Sequence, residues 1–211
     1  AISLNGELGL AFGARGKGGK GAAAAHYEPG TVVINLTKNA GAGSLGHEWW
    51  HALDNYFAKQ GGSDGYMMDG ARAERVRPVV VEAFRNVIRT INQTSLKQRS
   101  QNLDKRRTKA YWSTNIEMTA RAFESYLIAR LAESQFSNDY LANIVSEKAW
   151  PLENAYPYLV AAEIPAVRAA YDDLFAKIET RETERGIAMG QAAWHGSPHD
   201  FDAFSTAAMG T

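Results

Sequence analysis

Gly43-Ser44-Leu45-Gly46-His47-Glu48-Trp49-Trp50-His51-Ala52-Leu53-Asp54 is the stretch on which the reading of this chain turns. Gly41 to Ser44 supplies a break and an N-cap serine, and Leu45 to Ala58 then carries helical periodicity until Gly61-Gly62 stops it. On that helix a spacing of four stacks His47 and His51 on one face about one turn apart, which suits two cis ligands of a tetrahedral Zn²⁺. Glu48, one residue on, can take a proton from a water activated by the ion. The competing reading, two histidines on an ordinary core helix, is disfavoured by the helix and cap context.

Upstream, Leu8 to Phe12 alternates like a strand, and Gly13 to Gly21 is too glycine-rich for a regular element and reads as a flexible basic loop. It is not a P-loop, because no Gly-Lys-Ser/Thr closes it before a helix. Ala23 to Tyr27, a turn at Glu28-Pro29-Gly30, and the β-branched run Thr31 to Leu36 read as a hairpin. Downstream, apolar residues at helical spacing predict helices over 73–92, 96–110, 115–134 and 163–185, with Pro78 and Pro165 in first turns. Residues 138–162 are mixed, and Gly186 ends the last helix. The fold class is therefore α+β, a small N-terminal β-sheet against a larger helical body. A domain boundary near 187 divides the chain into 1–186 and 187–211.

The 211 residues are 45% hydrophobic, enough for a real core. Lys plus Arg equals Asp plus Glu at 23 each, so the field of a dedicated duplex binder or a polybasic membrane anchor is missing. Nucleic acid and membrane partners are not expected. The absence of cysteine excludes disulfide scaffolds, thiolate zinc sites and thiol nucleophiles. No apolar stretch approaches the roughly 20 residues of a membrane helix and no signal pattern opens the chain, so a soluble protein is expected, with secretion left open but unsupported. Both ends look cut from something longer.

A catalytic zinc takes a third protein ligand and leaves a position to water. The candidates are His26, Asp54, Asp69, Glu117 and Glu124. Asp54 shares the ligand face a further turn along, and a supporting or helix-packing role behind the ligands is preferred for it. His26, on the hairpin, is balanced between a structural and a substrate-side role. The strand Thr31–Leu36, with Val33, is expected at a sheet edge beside the metal, where an extended peptide could pair with its backbone. Lys97, Arg99, Lys105, Arg106, Arg107 and Lys109 are read as a solvated helix-loop face, with an acidic substrate or partner as the competing thought. Phe84, Val87, Ile88 and Ile91 are core.

His47 to His51 matches the HExxH signature of zinc peptidases. Glu117-Met118-Thr119-Ala120-Arg121-Ala122-Phe123-Glu124 resembles the helix that supplies the zinc-binding glutamate in anthrax-lethal-factor-like gluzincins, sharing Glu117, Ala120, Ala122 and Phe123. It departs at Arg121, where that family places an acid. The resemblance implies Glu117 as third ligand, with Glu124 as the fallback. It also implies that Tyr111, one position off the family's tyrosine, helps stabilise the tetrahedral intermediate, against the alternative that it is simply core. Taken with Ala25 to Lys38 and Gly41 to Asp54, residues 22–185 resemble the zincin-like domain of large polyvalent proteins of bacteriophages and conjugative elements. That implies a metallopeptidase module among other domains of a larger parent protein, acting in the cytoplasm of a host or recipient cell on a peptide or protein substrate, its parent or a host protein. Trp194 to Phe204 resembles the opening of an ADP-ribosyltransferase-like domain, and 187–211 is expected to be poorly ordered or packed opportunistically. The rival readings are another zinc hydrolase with the same ligands and an interaction module in which hydrolysis is dispensable.

Overall fold

The computed structural model describes residues 3–13, 24–38, 40–184 and 186–190. Most of the glycine-rich loop, the Trp194 to Phe204 segment and the tail beyond residue 190 lie outside the described residues.

Three short strands form the N-terminal sheet: β1 (Gly9–Phe12), β2 (Ala25–Glu28) and β3 (Val33–Leu36). β3 pairs antiparallel with β2, as a hairpin must, and parallel with β1, giving the order β1-β3-β2. This corrects the expectation for Val33. Its strand is central, with its backbone paired to Gly9 on one side and Glu28 on the other, so it has no free edge to offer a peptide. Among the described residues the outer side of β2 is the unpaired edge next to the metal-site helix.

That helix, α1 (Leu45–Gln60), packs on β2 and β3 and on α4 (Asn115–Glu133). Ser44 stands at the N-cap, but its hydroxyl makes no capping bond. The 138–142 turn caps the helix instead: Gly43 N–H donates to the Tyr140 carbonyl at 3.1 Å and Gly46 N–H to Leu141 at 2.7 Å. A side chain at Gly46 would meet Leu127 Cδ1 at 2.5 Å, so glycine is what lets the turn and α4 approach this closely. Ala120 and Ala122 on α4 are fully buried, and Trp50 is sealed beneath α1 with its indole N–H on Thr119 Oγ1 at 3.0 Å.

The remaining helices are α2 (Pro78–Asn92), α3 (Leu96–Asp104) and α5 (Ile164–Lys177). Pro78 opens α2 at its first turn, as expected, and the α2 stripe Val80, Ala83, Phe84, Val87, Ile91 is buried. α3 stops at Asp104, six residues short of the predicted end, because the Asp104 carboxylate collects the amides of Tyr111, Trp112 and Ser113 at 2.9–3.0 Å and folds the chain into a turn.

The last predicted helix is also too long. α5 ends at Lys177, whose carbonyl accepts a hydrogen bond from the Arg77 guanidinium, and the chain continues as a hairpin of β4 (Glu179–Thr183) and β5 (Gly186–Gly190). β5 runs across residue 187 and Met189 joins the core, 5% exposed, with its carbonyl accepting from Tyr56 Oη at 3.2 Å. No helix among the described residues is long and apolar enough to cross a membrane.

Candidate metal centre

Two helices distant in sequence build the site. α1 contributes His47 and His51 from adjacent turns, their rings 4.7 Å apart and edge to face. α4 contributes Glu117 from its first turn. Thr114 caps that helix, accepting from the Glu117 amide at 3.4 Å, in the Thr-x-x-Glu pattern whose glutamate ordinarily folds back on the cap amide. Here the Glu117 carboxylate turns to the histidines instead, with Oε2 3.4 Å from His47 Nε2 and Oε1 3.5 Å from His51 Nε2. One donor atom from each of the three residues lies within 4.8 Å of the others, so His47, His51 and Glu117 could hold a metal ion.

The surroundings orient these donors. Glu124, two turns further along α4, takes His47 Nδ1 at 3.0 Å, which fixes the ring and leaves Nε2 facing inward. Glu117 Oε2 is buried and makes no hydrogen bond among the described residues, its neighbours being the His47 imidazole at 3.4 Å and one guanidinium. Arg121 reaches that oxygen at 3.5 Å; its Nε donates to the Pro157 carbonyl at 3.0 Å, its Nη2 to Trp112, and its plane lies 4.9 Å from the Trp112 ring. It stands where the resembling helix has an acid, and it flanks Glu117 at the same oxygen that faces His47.

Charge is balanced without an ion. Burial alone would push the His47 imidazole down, but the adjacent Glu117 and Glu124 carboxylates override it and hold the group up at about 10. Burial would raise Glu117, and the neighbouring His47 and His51 imidazoles overcome it and hold its carboxyl well below the usual range. Glu48 is buried, 7% exposed, and is pushed upward by that burial against the pull of the two histidines. The Tyr27 backbone N–H, on the free side of β2, adds a small downward pull on its carboxyl, so the helix base and the sheet edge meet at this point.

Tyr111 also arrives at the site. Burial of its phenol next to the Glu117 carboxylate pushes it upward, keeping it a neutral donor. The Asp104 turn holds it in place. Asp54 lies behind the site, fully buried, with Oδ1 accepting from the Met68 amide at 3.0 Å; it ties α1 to the 3-10 turn Met67–Asp69 and is not in the donor cluster, nor is Asp69. His26 stands on β2 with Nε2 on Glu28 at 3.2 Å, outside the cluster. Arg99 leaves the expected solvated face, being drawn into a bidentate pair with Glu163 at 2.7 and 3.0 Å.

One residue escaped the sequence. Tyr66, on the loop after α1, sets its ring 6.2 Å from that of His51, edge on, and burial followed by the charges of Asp54, Glu48 and Glu117 pushes its phenol up to about 12. No spacing rule links it to the motif, since the loop Gly61 to Gly65 has no period to count along.

Comparison of the chain with curated proteins and with solved structures returned no match. Residues 103–182, which carry Tyr111, Glu117, Arg121 and Glu124 but neither histidine of α1, match the family model described as Large polyvalent protein-associated domain 1.

Proposed function

We propose that this chain is a zinc-dependent endopeptidase in which His47, His51 and Glu117 hold Zn²⁺ and Glu48 is the general base. The observation that carries the reading is that one donor atom from each of His47, His51 and Glu117 lies within 4.8 Å of the other two. Ligands at zinc distances of about 2.0–2.1 Å stand about 3.3–3.4 Å apart at the corners of a tetrahedron, so the three donors need only draw in around an ion. Two nitrogens and one carboxylate, with no thiolate, are the donor chemistry of a catalytic rather than a structural zinc.

When bound, zinc supplies a Lewis acid that polarises the scissile carbonyl and lowers the pKa of water. The chain's own residues do the rest. Glu48, raised by burial, accepts a proton from the attacking water and delivers it to the leaving amine. Tyr111, kept protonated, donates toward the developing oxyanion from the Glu117 side. The outer edge of β2 offers backbone groups to an extended peptide, with His26 on that strand and the Tyr27 N–H near Glu48 at its margin. Glu124 keeps His47 in the tautomer that presents Nε2.

The match of 103–182 to a polyvalent-protein-associated model supports a role as one module of a larger protein, and the substrate we propose is that parent or a host protein. The test is zinc content after purification without chelator, beside His51→Ala and Glu117→Ala, together with cleavage of a peptide library by wild type and Glu48→Ala. About one zinc per chain, lost in both ligand variants, and cleavage that disappears in Glu48→Ala are expected. Folded, zinc-free wild type would refute the reading and leave an interaction module.

A further inference from the structure

The four exposed cations Lys105, Arg106, Arg107 and Lys109 crowd onto the short turn that joins α3 to Tyr111. The sequence alone makes them a solvated face, but the fold gives them an address. Arg107 lays its guanidinium 4.9 Å from the centre of the Tyr111 ring, that ring packs edge to face on Trp112 at 5.4 Å, and Trp112 carries Arg121, the residue 3.5 Å from Glu117. A short chain of ring and charge contacts therefore links a surface cation to a candidate metal ligand.

The turn is rigidly held. Asp104 accepts from the amides of Tyr111, Trp112 and Ser113 and from the Ser113 hydroxyl at 2.6 Å, which uses up the nearest carboxylate. Among the described residues no salt bridge involves any of the four cations, whereas Arg77, Arg99, Arg121, Arg130, Arg168 and Lys177 each have an acidic partner. Lys105 and Arg106 also line a polar groove against Pro151, Leu152 and Glu153. Glu153 offsets one charge of the four. In a chain of zero net charge this is a local excess beside the one donor cluster among the described residues.

We infer that this basic rim is a recognition surface and that the peptides processed at the site carry Asp or Glu close to the scissile bond. The inference rests on the peptidase reading for its substrate and on the geometry of the turn for its sign. An extended peptide advances about 3.3–3.4 Å per residue, so acidic side chains a few positions from the metal come level with Arg107 and then with the groove. Charges left unpaired on a fixed turn lose little by accepting them, and the contact is screened by salt.

The experiment separates binding from chemistry. Labelled peptides identical except for Glu or Gln at the positions flanking the central bond are titrated into zinc-loaded Glu48→Gln protein, with and without Arg106→Gln and Arg107→Gln, at low and high salt. Zinc content is measured on every sample, and cleavage of the same peptides is followed with wild type. The Glu peptide is expected to bind about fivefold tighter or more, the worth of a single exposed charge contact at its upper end. The preference should shrink at high salt and vanish in the rim variant with its zinc unchanged. Equal binding of the two peptides, or a preference that survives in the rim variant, overturns the inference, as does single-stranded DNA that binds the rim more tightly than the acidic peptide. A rim-dependent preference without cleavage by wild type would sink the peptidase reading and leave the rim standing as an acidic-peptide site.

Discussion

Replacing Asp54 by Asn is expected to stabilise this protein at alkaline pH. Asp54 is fully buried on α1; burial pushes its carboxyl from 3.8 up to about 8, only partly opposed by the amides of Met68 and Met67, with Asp69 adding to the rise. Oδ2 has no partner among the described residues. The folded state thus holds the proton more tightly than the unfolded chain. Below about pH 4 both states are protonated and nothing is lost; between about pH 4 and pH 8 the unfolded chain has released its proton and the fold has not, so stability falls by about 1.4 kcal/mol per pH unit. Above the folded pKa the deficit is constant, roughly 5–6 kcal/mol. Asn keeps the acceptor that Met67 and Met68 use and cannot ionise. Chemical denaturation of chelator-treated protein across pH 5 to pH 8 should show wild type losing about 4 kcal/mol relative to Asp54→Asn. The difference between the two curves cancels the other titrating groups that both proteins share. Parallel curves would refute the assignment of Asp54 as a buried neutral acid, and an Asn variant less stable at every pH would mean that Oδ2 has a partner that needs its charge.

The metal site yields three further expectations. Glu124→Ala removes the carboxylate that orients His47 at 3.0 Å and should weaken zinc binding about 10- to 100-fold in competition with a chromophoric chelator; unchanged affinity would reduce Glu124 to packing. Arg121→Met leaves the buried Glu117 charge without its neighbour at 3.5 Å, so the ion-free protein should lose about 3–5 kcal/mol and the zinc-loaded protein clearly less, since the dication then compensates Glu117; equal losses with and without zinc would contradict the pairing. With His47 held at about 10 in the ion-free protein, zinc binding near neutral pH should release about one proton from that ring, read by calorimetry in buffers of different ionisation enthalpy, and no proton release would show that His47 is already neutral.

How much of this was legible in the sequence follows from the range over which each constraint acts. The α1 histidines, Glu48 and the helix around them are set by a four-residue spacing and by local stop signals, and they stand where the sequence puts them. Glu117 is 66 positions beyond His51, and only its likeness to a known helix picked it out of five candidate ligands. The third strand of the sheet shows the opposite case: the hairpin of β2 and β3 is local and legible, but the choice of β1 as a parallel neighbour of β3 is not, and it decides which edge a peptide can reach. The last helix fails for a related reason. Lys177 to Arg185 consists largely of good helix formers with no breaker, so nothing local ends α5. What ends it is non-local: Arg77 takes the Lys177 carbonyl and pairs with Glu179 at 2.7 Å, and Met189 enters the core.

Arg121 draws these strands together, because its place in the sequence argues against the site and its place in the fold argues for it. A basic residue where the related helix has an acid should weaken a cation site by direct repulsion. Yet the guanidinium is 2% exposed, bonded to the Pro157 and Trp112 carbonyls and stacked on Trp112, so its position is fixed by partners other than Glu117. From there it meets Glu117 at Oε2, the oxygen that also faces His47, leaving Oε1 to His51, and Glu124 pairs with the other nitrogen of His47. A bound dication would then face Glu117 and, one ring further out, Glu124, with Glu48 beside it, so three carboxylates set against one arginine leave the pocket favourable to a divalent cation. The same arrangement holds Glu117 when no ion is bound, which is the state in which a buried carboxylate would otherwise be pushed to take a proton or turn outward.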